Sequence, residues 1–171
     1  SAGCDSGGLG SRVLKHMTRQ LIALIKNFLR KRGVVVARYN CNNSAELRLV
    51  RMLSANHIDL VLDVGANDGG YGRSIRTAGY ANAILSFEPL AGPHGQLVQA
   101  VEQDSLWHVA PRMALGAVNG TIQINVAANS TSSSVLPMLD RHAEAAPESV
   151  YVGAESVPLR RLDGFSHPLL Q

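Results

Sequence analysis

The apolar positions along this chain change period several times, and each change marks an element. Val13, Met17, Leu21, Leu24, Ile25 and Phe28 recur at spacings of three and four with Lys and Arg between them, which predicts a helix over 12–32. Gly33 closes that helix, and VVVARY (34–39) reads as a short strand or extended linker. Asn43, with Glu46 three residues on, opens a helix that carries Leu47, Val50, Arg51 and Leu53 to about Asn56. Residues 58–64 are almost wholly apolar, as a strand covered on both faces should be. A helix over 70–78 stops at Gly79, a second strand covers 83–87, and a further helix starts near Pro93 and carries Leu97, Val98 and Val101. The third strand is expected from Trp107 to about Leu115. Asn119-Gly120 is a strong hairpin signal and 121–126 alternates apolar with polar, so strand three is expected to turn back into an antiparallel hairpin. NSTSSS (129–134) is a polar loop, 141–149 holds a short helix, and VPLRRLDGF gives one more strand and a turn. There are no internal repeats.

The run IDLVLDVGANDG (58–69) carries the most chemistry. An apolar strand ends in Asp63 and turns through Gly65 and Gly69, and about 20 residues on a second strand, AILSF, ends in Glu88. Strand, glycine turn, helix and acid-tipped strand together make a nucleotide-binding half-site. A dinucleotide site wants Gly-x-Gly-x-x-Gly, with the middle glycine making room for pyrophosphate, and here that position is Asn67. An acid before the first glycine favours S-adenosylmethionine: Asp63 would offset the ammonium of its methionine end, and Glu88 would accept hydrogen bonds from both ribose hydroxyls. Asn67 and Asp68 lie between, toward the methionine carboxylate or solvent. A dinucleotide, or no small ligand, are the alternatives.

Composition adds limits. The 171 residues are 46% hydrophobic and 17% charged with net charge +3, in the range of an ordinary globular domain. The cations gather early, at Arg12, Lys15, Arg19, Lys26, Arg30, Lys31 and Arg32, and beyond them the chain is close to charge balance, so no nucleic-acid footprint is expected. The 12–32 helix has three readings: an apolar face docked on the domain, a basic amphipathic helix peripheral to the inner membrane surface, or a dimerisation helix. Cys4 and Cys41 make neither a disulfide framework nor a metal-ligand spacing, and a reducing cytoplasm fits them. No apolar run reaches the roughly 20 residues a membrane span needs. The first ten residues, SAGCDSGGLG, are small and polar, without the apolar stretch of a signal peptide. They read as a disordered lead-in or tag scar, with Met17 a candidate start. The expected division is a lead-in over 1–11, a helical segment over 12–56 and an α/β domain over 57–171.

VLDVGANDGGYG, SFEPL, MALGAVNGTIQINVAANSTSSSVLPM and VPLRRLD, in that order and spacing, resemble the FkbM family of S-adenosylmethionine-dependent methyltransferases, over about Ile58 to Asp163. The resemblance implies a class I methyltransferase (Rossmann-like) fold and O-methylation of hydroxyls on natural products, sugars and glycolipids. By similarity, Asp63, Gly65, Asn67, Gly69 and Glu88 fall on the cofactor motif, and Ala114 and Leu115 fall near the adenine. In that family VPLRRLD is followed by a fourth strand with a motif like KIDVEG, beside strand one. Here the sequence stops at Gln171, so the resemblance implies an incomplete sheet with strand one at an edge. Either the product is truncated, or another copy or partner covers that edge.

Methyl transfer to a hydroxyl needs alignment, exclusion of water and a proton acceptor. Among His16, His57, His94, His108, His142 and His167, the candidate base is His142, which follows the Ser-rich loop and matches a family position; the alternative is a base in the missing half that the resemblance implies. His57 and His108 fall at the far strand ends, and His94 at a helix start suits a structural role. NSTSSS is a candidate acceptor contact or a flexible turn, Arg160 and Arg161 a pair for an anionic acceptor or for local carboxylates, Trp107 a core residue, and Tyr71 a cover over the methionine end. The competing functional reading is a truncated, catalytically inactive relative that keeps part of the cofactor site. A dinucleotide-dependent oxidoreductase and a membrane-surface module working through 12–32 are the others.

Overall fold

A computed structural model describes residues 21–34 and 44–170, and the chain divides into two units, 1–44 and 45–171. The first part of the N-terminal helix, the 35–39 segment, Cys4, Cys41, His16 and Asn43 lie outside the described residues. In the first unit, helix α1 covers residues 21–31. Gly33 ends it in the left-handed region, φ 78, with Val34 N–H on the Leu29 carbonyl and Gly33 N–H on the Arg30 carbonyl. These paired bonds satisfy carbonyls that the helix end would leave open, and the positive φ is why a glycine stands there.

The second unit is built on helix α2 (Ala45–Ala55), strand β1 (Leu60–Val64), helix α3 (Gly70–Thr77), strand β2 (Ala83–Phe87), helix α4 (Ala91–Val101) and strand β3 (Trp107–Val109). The three strands form one parallel sheet in the order β1-β2-β3, with Asp63 opposite Ser86 and Ser86 opposite Val109. One face packs Val61, Ile84 and Trp107 on Val50 of α2, Ile75 of α3 and Leu97 of α4. Helix α2 shares that core with the sheet. On the other face Leu85 and Phe87 meet Ala110, Met113 and the C-terminal Phe165, Leu169 and Leu170, with the Phe87 and Phe165 rings edge to face at 5.6 Å. Both faces are covered, which is why these strands read as largely apolar runs, with Asp63 and Ser86 the polar exceptions.

Arg76, at the end of α3, closes the amino-terminal side of this sheet. Its guanidinium bonds Asp104 at 2.8 Å and donates to the carbonyls of Tyr80, Asn82 and Leu106. One planar fork thus joins the segments that lead into β2 and β3.

The expected third strand is two. β3 stops at Val109, and Ala114–Leu115 form a separate strand β4 in a second sheet, because Pro111 between them has no N–H to continue the ladder. Strands β5 (Gly120–Ala127) and β6 (Tyr151–Arg160) complete that sheet in the order β4-β6-β5, with β6 parallel to β4 and antiparallel to β5. The hairpin expected at Asn119-Gly120 is therefore absent. β4 offers β5 two residues, whereas β6 offers a register from Gly120 to Ala127. The last strand is also longer than VPLRRL suggested, starting at Tyr151. Helix α5 (Asp140–Ala145) and a 3-10 turn over Pro147–Ser149 occupy the stretch expected to be helical.

Gly72 shows how tightly α3 sits on the sheet. A Cβ there would lie 2.0 Å from the Trp107 indole, which is itself buried, whereas one at Gly92 of α4 would meet nothing within 4 Å. Gly72→Ala is expected to lower stability by about 1–3 kcal/mol through overpacking, while Gly92→Ala is neutral or stabilising by up to about 1 kcal/mol from helix propensity. Urea denaturation of both variants checks this, and equal effects would contradict the packing described.

Candidate functional site

The loop from β1 to α3 alternates its handedness: Gly65, Asn67 and Gly69 have φ of 79, 50 and 90. At Gly65 the demand is conformational, since an added Cβ would meet nothing within 4 Å. The Gly65 and Ala66 N–H groups donate to the Phe87 carbonyl at 2.9 and 3.1 Å, which lays the loop across the tip of β2. The next donor, Asn67 N–H, reaches Glu88 Oε2 at 2.7 Å, and Leu90 N–H reaches Glu88 Oε1 at 2.9 Å. The Glu88 side chain, in a residue 4% exposed, thus joins the loop after β1 to the loop after β2. Each carboxylate oxygen still has a second lone pair.

Glu88 lines a cavity of about 220 Å³ with Gly65, Asn67, Pro89, Leu90 and Ile124, closed on one side by Ser130, Thr131, Ser133, Ser134 and Val135. The Ser-rich loop is fastened there by Asn67, whose Nδ2 donates to Thr131 Oγ1 at 3.1 Å and whose Oδ1 accepts from Ser130 Oγ at 3.2 Å. The same loop is bonded to β5, by the paired backbone bonds of Asn125 and Ser134 and by Ser133 Oγ, which accepts from Ala127 N–H at 3.0 Å. Cavities for drug-sized ligands run from about 300 Å³ upward, so with the loop in this position the cavity is small.

The other residues singled out from sequence scatter around this cavity. Asp63 does not line it. Its carboxylate accepts from Ser86 Oγ at 3.1 Å, and Ser86 Oγ in turn accepts from Trp107 Nε1 at 2.9 Å, a buried relay within the sheet unit. Ala114 and Leu115 sit in β4, paired with Leu159 and Arg160, and do not line the cavity either. Gly69 is buried against Leu97 and Trp107. Asp68 pairs with Arg73 at 2.7 Å, and that guanidinium holds its carboxyl below the ordinary carboxylate value. Tyr71 is exposed, Arg161 pairs with Asp163, and Arg160 donates to the Gly120 and Leu159 carbonyls. His94 Nε2 donates to the Ala110 carbonyl at 2.9 Å, and the His108 ring packs edge-on to His167 at 5.9 Å. His142 is on α5, and its side chain lies outside the described residues. No group of His, Cys, Asp and Glu among the described residues is placed to hold a metal.

Two hydrogen-bonding residues near the site escaped the sequence reading. Ser86, a hydroxyl inside an apolar strand, was the available signal for a buried hydrogen-bond partner. Glu155, in β6, accepts from Ala91 N–H at 3.0 Å at the start of α4 and from Arg112 at 2.8 Å, fastening the second sheet beside the cavity. Its position became legible only with the β4-β6-β5 order.

No protein-family model and no curated protein matches this chain. Among solved structures, a protein from Staphylococcus aureus described as a "putative caffeoyl-CoA O-methyltransferase" is similar at 12% identity and a TM-score of 0.34, over 60% of this chain and 50% of that one. The chain thus spans about half the length of that structure. So slight a likeness carries no function, and the parallel β1-β2-β3 order with its intervening helices defines the mixed α/β fold by itself.

Burial raises the Asp63 carboxyl above its ordinary 3.8, against the opposing pull of the Ser86 hydrogen bond. A carboxyl raised in the fold stabilises while protonated, and that contribution fades as pH rises from 3.8 through the raised value. Asp63→Asn stays neutral throughout. It is expected to melt higher than the parent at neutral pH, with the gap closing below pH 3.8, in paired thermal melts. A gap independent of pH would contradict a strained buried carboxylate.

Proposed function

We propose that the 45–171 unit is a methyltransferase-like domain that takes S-adenosylmethionine by its nucleoside half, in the crevice between Gly65–Asn67 and Glu88–Leu90. The finer proposal is O-methylation of a hydroxyl on a sugar, glycolipid or natural product. One observation carries the reading: Glu88, at the carboxyl end of a central parallel strand, lines the cavity with its carboxylate fixed by two backbone N–H groups. Open α/β sheets take their ligands at that end. An acceptor held this way suits a vicinal pair of ribose hydroxyls, and Gly65 leaves open space beside it. Asn67 argues against a dinucleotide, since its side chain spans to Ser130 and Thr131 where pyrophosphate would need bare backbone.

The fit is uneven along the cofactor. Glu88, Gly65 and Leu90 suit the nucleoside. The methionine end has no free carboxylate in the cavity, because Asp63 is turned to Ser86. When bound, the sulfonium supplies an activated methyl group. The chain's own part is to hold the ribose, to shut out water with the Ser-rich loop, and, through His142 or a group beyond it, to take the acceptor's proton. The Asp63 position favours a second reading as well, a domain that binds the nucleoside without turnover.

Calorimetry with S-adenosylhomocysteine, 5′-methylthioadenosine and a 2′,3′-dideoxy nucleoside separates these. Loss of the ribose hydroxyls is expected to weaken binding by about tenfold or more, with the protein unaltered. Asp63→Asn is expected to change affinity by less than about twofold. Methyltransferase action requires S-adenosylhomocysteine to bind more tightly than 5′-methylthioadenosine, and equal affinity favours nucleoside binding alone. Indifference to the ribose hydroxyls would remove Glu88 as the ligand contact.

A further inference from the structure

We propose that α1 is an interfacial helix that seats on an anionic lipid surface. At about 100° per residue, Leu21, Ile22, Leu24, Ile25, Phe28 and Leu29 fall in one arc about 160° wide. The first five of these are 49–67% exposed. Lys26 and Lys31 stand on the two borders of the arc and Arg30 opposite it, so their stems can run along an apolar boundary with the ammonium groups in the headgroup layer. Beyond the helix, Arg32 lies over the Phe28 ring at 4.5 Å.

Charge identifies the occupant. Between Asp5 and Glu46 the sequence has eight Lys or Arg and no acid. Residues 46–171 hold the other eight cations and twelve acids, so attraction to an anionic surface is confined to this segment. A second copy of α1 would set like charges against one another with no carboxylate in the segment to meet them. Among the described residues no helix is long and apolar enough to cross a membrane, and a wide apolar arc bordered by cations suits a helix lying in the interface. This inference is independent of any ligand at Glu88.

The full chain is tested by flotation with vesicles of phosphatidylcholine alone and of phosphatidylcholine mixed with phosphatidylserine. Lysine occurs only at 15, 26 and 31, so amine acylation read by mass spectrometry reports on this segment without mutation. The expected result is flotation with the serine lipid alone, released by salt, with Lys26 and Lys31 protected from acylation. Lys26→Glu with Lys31→Glu, and separately Phe28→Ser, should each lower partitioning by about tenfold or more while the melting transition of the sheet unit is unchanged. Equal flotation with both vesicles, none with either, or partitioning indifferent to these substitutions would overturn the proposal. Self-association abolished by Phe28→Ser without lipid binding would overturn it in favour of a second copy.

Discussion

One carboxylate joins the two strand tips on which the candidate site is built. Glu88 receives the Asn67 N–H from the glycine loop and the Leu90 N–H from the loop after β2. A hydrogen bond to a charged group contributes about 1.5–3 kcal/mol, and a buried donor left without its partner costs about 1–3 kcal/mol. The left-handed turns at Gly65, Asn67 and Gly69 are affordable because this contact, with the Phe87 carbonyl beside it, over-determines the loop. The same carboxylate faces the cavity, so the group that shapes the site is also the one best placed to recognise a ligand.

The second sheet finishes what Glu88 begins. Ile124 and Val157 pack on Leu90, and Glu155 reaches the start of α4 and Arg112. β5 then delivers the Ser-rich loop to Asn67. Buried hydrogen bonds to Glu88 fix the floor of the cavity, while neutral ones join the loop above it to Asn67 and to β5.

Much of this was legible in the sequence, for physical reasons that differ by element. β1 and β2 announce themselves because strands covered on both faces are largely apolar, and Gly33 and Gly79 mark helix ends because their backbones turn left-handed. Glu88 was legible because an acid at the end of an apolar strand has little other reason to be there. The Asp63 hydrogen bond was not legible, for the converse reason: its partner Ser86 is on a different strand, and only the β1-β2 register sets them side by side. Asn119-Gly120 misled because a turn signal is local while pairing is not, and the distant β6 outcompeted the two-residue β4. Pro111 was the overlooked local signal, and with it Ala114 and Leu115 leave the first sheet. The face of α1 followed from its spacing alone, and its borders of lysine give that face a chemistry.

The most direct measurement is an amide NMR titration of the full chain with S-adenosylhomocysteine. The account predicts that the largest shifts fall at Gly65, Asn67 and Leu90 and across the 129–134 loop, with the Asp63 and Ser86 amides little changed. Shifts centred elsewhere, or no shift at Asn67 and Leu90 at saturation, would contradict the claim that the Glu88 carboxylate marks the ligand site.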